Sequence, residues 1–307
     1  MGGIVLAYGY GLLSAFLASV CWGVAPILYK RALGEMGPWK ANAFRGFGLL
    51  TILVPAFFYV FFARADNAEE LLSLSVNSYL ILALIALLSN IVGDIFYMAA
   101  IRVIGVSLTV PITSSYPLAV AVNSWFWFGE ALTFSVLSGT FSVVAGLALL
   151  NVHAAETQGA IRSRHARGVV LSVLTALCWA MGLALNKHLT LQGVSPFAIT
   201  FWRGVFFSLM AIALLPLENR GEGKKPRRAS AGGVLSAACA GVIALVFGGW
   251  FYATSLFIIP MNVATPIASS SPLIAAAFAC AFMGESLRPV QWLGIVFVVA
   301  GAVAVSA

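Results

Sequence analysis

The chain carries little charge. Asp, Glu, Lys and Arg make up only 9% of its 307 residues, where a soluble domain carries about 25%. Histidine is scarce as well. His153, His165 and His188 lie near connectors and form no metal-ligand spacing. The four cysteines, Cys21, Cys178, Cys239 and Cys280, form no CxxC pair and sit in apolar runs, so they read as small core residues. No GxxxxGK[ST] phosphate loop occurs, which excludes ATP hydrolysis by that route. No Ser/His/Asp constellation or metal cluster stands at membrane depth. The sequence therefore predicts no enzyme, no cofactor and no metal. The first apolar run lacks a basic n-region and an A-x-A site and continues to Leu28, unlike a signal peptide. Leu6 breaks the myristoylation pattern after Met1-Gly2.

What the chain does have is apolar surface. Hydrophobic residues make up 61%, and the mean hydropathy is +1.00. A folded surface needs polar cover, so the solvent for most of this chain is lipid. Disorder needs the opposite composition. The net charge of +7 then reflects basic loops and not a nucleic-acid partner.

A helix crosses the hydrocarbon with about 20 apolar residues. Ten such runs are predicted, at 9–29, 41–62, 78–101, 106–128, 133–152, 168–186, 197–216, 232–258, 262–283 and 289–306. They are continuously apolar and too long for barrel strands. Long polar connectors occur only at 153–167 and 217–231. Basic residues set the orientation. Thirteen fall in the odd-numbered loops; only Arg64 and Lys187 fall in the even-numbered loops and termini. The positive-inside rule places both termini outside an inner or plasma membrane.

The chain also repeats itself at an offset of about 155–158 residues. Cys21-Trp22-Gly23 returns as Cys178-Trp179-Ala180, and Lys30 as Lys187. Phe44-Arg45-Gly46 returns as Trp202-Arg203-Gly204, and Gly93 and Tyr97 as Gly248 and Tyr252. The stretch 110–117 returns as 265–272, Gly129-Glu130 as Gly284-Glu285, and Gly146 as Gly301. Each unit holds five spans. An odd number inserts the second unit upside down, which predicts an inverted repeat with 1–152 and 168–307 as its halves and 153–167 as linker. Halves of that kind rock around a shared midplane site in secondary transporters.

Polar residues within the spans are the candidate site. Asp94 is the acid well inside a span, where charge costs about 2.5–3.5 kcal/mol on insertion scales. Asn90, Asp94 and Tyr97 share one helix face. Asp94 is the candidate proton-coupling residue; a salt bridge with Arg45 is the structural alternative. Its counterpart in the second half is Gly249, so it breaks the symmetry. Arg45 and Arg203 keep the symmetry and read as snorkelling anchors or anion attractors. Lys30 and Lys187 end their helices and complement the dipole there, as structural or gating groups. Glu130 and Glu285 are expected to bond amides at the start of the next helix. Pro111 and Pro117, and Pro266 and Pro272, interrupt helices four and nine around Ser114-Ser115-Tyr116 and Ser269-Ser270, forming a polar cavity wall. Trp22, Trp179 and Tyr252 lie deep enough to stack on a substrate or to pack a core.

These features resemble the EamA family of the drug/metabolite transporter superfamily. They are two five-helix repeats, Trp22 and Lys30 with Trp179 and Lys187, Arg45 and Arg203, the proline-bearing fourth helices, and the repeated Gly-Glu. The resemblance covers essentially the whole chain. It implies a ten-helix exporter or exchanger of small metabolites, with a cavity lined by the first, third and fourth helices of each half. Members are commonly drawn with cytoplasmic termini, and the charge count here departs from that. The expectation is an all-α integral membrane protein that transports a small organic metabolite by alternating access. It would work as a monomer or homodimer whose partners are its substrate and the bilayer. The alternatives are an anion exchanger using Lys30, Arg45, Lys187 and Arg203, and a membrane-embedded enzyme or lipid-handling subunit.

Overall fold

In lipid the backbone must satisfy its own hydrogen bonds, and a continuous apolar run does so as a helix. The computed structural model describes residues 2–63, 71–104, 109, 112–155, 162–220, 229–274, 277 and 288–306. Among them every regular element is helical. The elements are α1 (Gly2–Leu33), α2 (Pro38–Ala63), α3 (Val76–Ile85), α4 (Asp94–Ile104), α5 (Tyr116–Phe128), α6 (Phe134–Ala155), α7 (Arg162–Leu191), α8 (Pro196–Ala213), α9 (Ala231–Gly241), α10 (Gly249–Ile258), α11 (Met261–Ala268) and α12 (Pro289–Ser306). Two π-helical segments, Ala86–Gly93 and Val242–Gly248, join α3 to α4 and α9 to α10.

Seven helical stretches among the described residues are long and apolar enough to cross a membrane, and Phe134–Leu150 is a shorter eighth. The expected fourth and ninth spans hold α5 and α11, whose outer flanks lie outside the described residues. Two helices overrun their expected ends: α1 reaches Leu33 and α7 reaches Leu191. Lys187 therefore sits a turn inside its helix and does not end it; the same holds for the backbone of Lys30.

The chain's duplication reappears as exchanged contacts. The helices of the fifth and tenth spans, α6 and α12, cross antiparallel on glycine faces. A Cβ on Gly146 would fall 2.6 Å from the Gly294 carbonyl oxygen, and one on Gly139 would fall 2.7 Å from that of Gly301. These helices touch only because both partners are glycine, the small-residue device of membrane helices. Gly46 meets Ser208 in the same antiparallel manner between α2 and α8, and the Ser208 hydroxyl donates to the Gly46 carbonyl at 3.0 Å. In addition, α1 lies along α9 and α10, and α7 lies along α3 and α4. Shifting by one five-span unit turns the α1 pairing into the α7 pairing and returns the α6–α12 and α2–α8 pairings to themselves.

Small residues fill the centre. Ala15, Ala18, Ala180, Ala184, Ala264 and Ala268, from α1, α7 and α11, are buried in one cluster that also takes in Val120, Tyr252 and Leu256. A second cluster sits among α2, the α3–α4 unit, α7 and α8, around Leu49, Ile85, Leu189, Ile199 and Phe207. On the face of the α1–α2 turn, two acids bridge distant segments. Glu218 accepts from the Trp39 and Lys40 amides at 3.1 and 3.2 Å, capping the start of α2. Glu35 accepts from the Ser230 amide and hydroxyl at 3.0 and 2.5 Å, and these bonds hold its carboxyl below the usual range.

Candidate functional site

The site starts from the two π segments. A π turn widens the helix and turns its carbonyls outward, and such segments concentrate at functional positions. Each ends on a glycine, Gly93 or Gly248, and an indole from the other half lies on that glycine. A Cβ on Gly93 would come 3.0 Å from Trp179, and one on Gly248 would come 2.7 Å from Trp22. Each indole then meets the tyrosine one turn further on. Trp179 and Tyr97 have ring centroids 5.4 Å apart, and Trp22 and Tyr252 have theirs 5.3 Å apart. The duplicated tryptophans, glycines and tyrosines of the sequence thus assemble into two matching stations, each made by both halves.

Position 94 breaks this match. In the second half Trp22 donates to the Ala244 carbonyl at 3.0 Å, and Arg203 donates to the Leu245 carbonyl at 3.1 Å. Both acceptors belong to the π segment. Arg203 fits because Gly249 has no side chain: a Cβ there would fall 1.8 Å from its Nη2. In the first half Asp94 takes both donors. Arg45 Nη1 lies 3.1 Å from Asp94 Oδ2, and the Trp179 side chain lies within hydrogen-bonding reach of the carboxylate. Arg45 also donates to Asn42 Oδ1 at 2.7 Å, with its guanidinium 5.5 Å from the Phe207 ring centroid. Arg45 and Arg203 are thus buried donors to interior acceptors, which replaces the snorkelling expected from the sequence. The Asp94 side chain keeps 22% of its exposure. Asn90 is half-buried, and its amide finds no hydrogen-bond partner among the described residues.

Tyr116 joins this station from α5, with its ring edge-on to Trp179 at 6.1 Å. Beside it the chain turns at Ser114–Ser115, and its repeat turns at Ser269–Ser270. The hydroxyls close these turns. Ser115 donates to the Ile112 carbonyl and Ser270 to the Ile267 carbonyl, both at 2.6 Å, and Ser269 donates to Pro266 at 2.8 Å. Pro117 opens α5 and Pro266 lies inside α11. Pro272 follows the second turn by two residues.

Three serines expected on an open wall are packed instead, and Tyr252 takes the core-packing alternative. Tyr252 is 1% exposed, with its hydroxyl 2.7 Å from Thr265 Oγ1. Ser114, Ser269 and Ser270 are buried, and Ser270 meets Ser19 at 2.9 Å. Asn90, Asp94, Tyr97, Ser115, Tyr116, Trp22 and Trp179 remain half-buried. An open groove of about 510 Å³ lies elsewhere, among Asn77, Ile81, Trp127, Phe128, Leu185 and His188, and none of the expected site residues lines it. Pro111, Glu285 and the Lys30 side chain lie outside the described residues.

Glu130 corrects a second expectation. It does not cap the helix that follows it, where Thr133 Oγ1 takes the Val136 amide at 3.2 Å. Its carboxylate accepts from the Met261 and Asn262 amides at 2.9 and 3.1 Å, at the start of α11. Ser124 also donates to it, and Lys187 Nζ stands 3.6 Å away. Both charges stand out in the sequence; their meeting does not. The usable signal is that lysine and glutamate are each duplicated at nearly the repeat offset, Lys30 as Lys187 and Glu130 as Glu285.

Comparison with known proteins agrees with this architecture. A family model described as the EamA-like transporter family matches residues 9–152 and 166–307. An uncharacterized transporter from Archaeoglobus fulgidus is 24% identical over 179 residues, covering 58% of this chain and 59% of that one. A chloroplastic WAT1-related protein from Arabidopsis thaliana is 28% identical over 193 residues, covering 63% of this chain and 44% of the other. The matches thus span about half the length of these relatives. A crystal structure of a protein 15% identical superposes with a TM-score of 0.77, covering 96% of this chain and 95% of that one, which shows a shared fold.

Proposed function

Since the chain belongs to the EamA-like transporter family and is a multi-pass membrane transporter, we propose that it moves a small organic metabolite outward by alternating access. Its two halves, of five spans each, lie inverted in an inner or plasma membrane and rock about the stations at Gly93 and Gly248. The observation that carries this reading is the exchange of contacts between halves. Trp179 lies on Gly93 as Trp22 lies on Gly248, and α6 crosses α12 antiparallel through Gly139–Gly301 and Gly146–Gly294. Two halves that interlock reciprocally have two equivalent ways to tilt, which is what a carrier needs.

Asp94 supplies the asymmetry that a symmetric scaffold lacks. Its carboxylate and the Asn90 amide present open acceptor positions at membrane depth, where such groups mark a substrate or proton path. The anion-exchange alternative is less well supported. Arg45 is neutralised by Asp94, Arg203 lies over Gly249, and Lys187 is held by Glu130 and two carbonyls. The charge count supports termini on the extracytoplasmic side.

The test is transport by the purified chain in proteoliposomes. A screen of amino acids, sugars, nucleosides and lipophilic cations for thermal stabilisation selects the solute. Its outward gradient is expected to drive counterflow of labelled solute and to acidify or alkalinise the lumen in step. Solute binding with no flux in either direction contradicts the proposal.

A further inference from the structure

The break between α10 and α11 exposes polar backbone from both sides. The end of α10 leaves carbonyls without helical partners, and the start of α11 leaves amides. Pro260, at the α11 cap, has no side-chain acceptor to cover those amides. Both sets are covered from elsewhere. Lys187, from α7, donates to the Leu256 and Ile259 carbonyls at 2.8 and 3.3 Å. Glu130, from the turn after α5, accepts the Met261 and Asn262 amides. The two charges then pair with each other at 3.6 Å, at 10% and 12% side-chain exposure. Asn262 completes the junction by donating to the Ala131 carbonyl at 3.0 Å. Each charge sits at the helix end that its sign suits. Glu130 belongs to the first half and every other group but Ala131 to the second, so the junction fastens one half to the other.

We propose that Glu130 and Lys187 form the clasp that closes the membrane face bearing the turn after α5, the end of α7 and the α10–α11 break. The proposal rests on the alternating-access reading and adds to it which bonds must part. With the face closed, the two charges cover the helix ends in a dry junction. When it opens, water covers the same carbonyls and amides. Both arrangements satisfy the backbone, so the junction has two stable forms. Removing either charge weakens only the closed one.

The experiment uses the full chain in proteoliposomes, with its four cysteines replaced by alanine and Ser115→Cys as reporter. A membrane-impermeant maleimide is applied from each face in turn. Glu130→Gln and Lys187→Met are expected to raise labelling from the clasp face about tenfold and to lower it from the opposite face, as a shift between two states requires. Glu130→Asp, which keeps the charge, is expected to label more nearly like the parent. Unchanged labelling from both faces, in variants that elute and melt like the parent, overturns the clasp; the alternating-access reading then stands if the parent is labelled slowly from either side. A rise from both faces at once also overturns the clasp, because it reports a loosened fold. A parent labelled from neither face overturns the alternating-access reading and the clasp with it.

Discussion

Asp94→Asn is expected to uncouple transport from the proton gradient. The substitution keeps the side chain's shape and one carbonyl acceptor, so solute still binds and exchanges. What it removes is the proposed proton-coupling group, the one acid within the described membrane spans. Asp94 is held by Arg45 at 3.1 Å and keeps 22% side-chain exposure, so it is paired yet reachable. Protonation would weaken its hold on Arg45 and on the Trp179 indole, and that indole rests on Gly93 of the other half's partner station. On the proposed reading a proton at Asp94 would act on the contact between the halves. In proteoliposomes carrying a pH-sensitive dye, solute-driven proton movement is expected to fall at least about tenfold, while solute exchange at equal pH persists. Retention of gradient-driven accumulation by Asp94→Asn removes Asp94 from this role.

The Arg45–Asp94 pair is also expected to dominate stability inside the first half. Removing one partner of a buried pair leaves the other charge uncompensated, at a cost of about 3–5 kcal/mol. Partial exposure places Arg45→Met near the lower figure, a fall in melting midpoint of roughly 5–10 °C for a chain of this size. Arg45→Met combined with Asp94→Asn leaves no orphan charge, and the double variant is expected to regain at least half of the loss. Additive losses in the double-mutant cycle contradict a direct pairing. Arg203→Met provides the contrast. Its guanidinium has no carboxylate partner among the described residues, so its loss frees one π-segment carbonyl and strands no acid.

Much of this architecture is legible in the sequence because membrane burial and duplication leave strong marks. The apolar runs become helices, and the repeated Trp22, Trp179, Gly93 and Gly248 meet in matching pairs. What the sequence does not carry is long-range geometry. Glu130 follows a glycine before a helix, which reads as a local cap; its actual targets lie 131 and 132 residues away. The Arg45–Asp94 pair, 49 residues apart, is open to the sequence only as one alternative beside an interfacial anchor, and the structure selects it. The serines at 114–115 and 269–270 look the same in sequence whether they face water or close their own turn. The structure shows Ser270 bonded to a carbonyl and to Ser19. The π segments have no composition of their own, so the sequence marks neither.

The two halves are expected to tilt against each other so that one face opens as the other shuts. Pulsed electron–electron distance measurements test it on the full chain in lipid. One pair of spin labels spans the clasp face at Thr133 and Gln192, and another spans the opposite face at Gly34 and Ala229. Two distance populations are expected at each face, and a change of pH or solute that lengthens one pair shortens the other. A single fixed distance at each face under every condition, or both pairs lengthening together, contradicts the account.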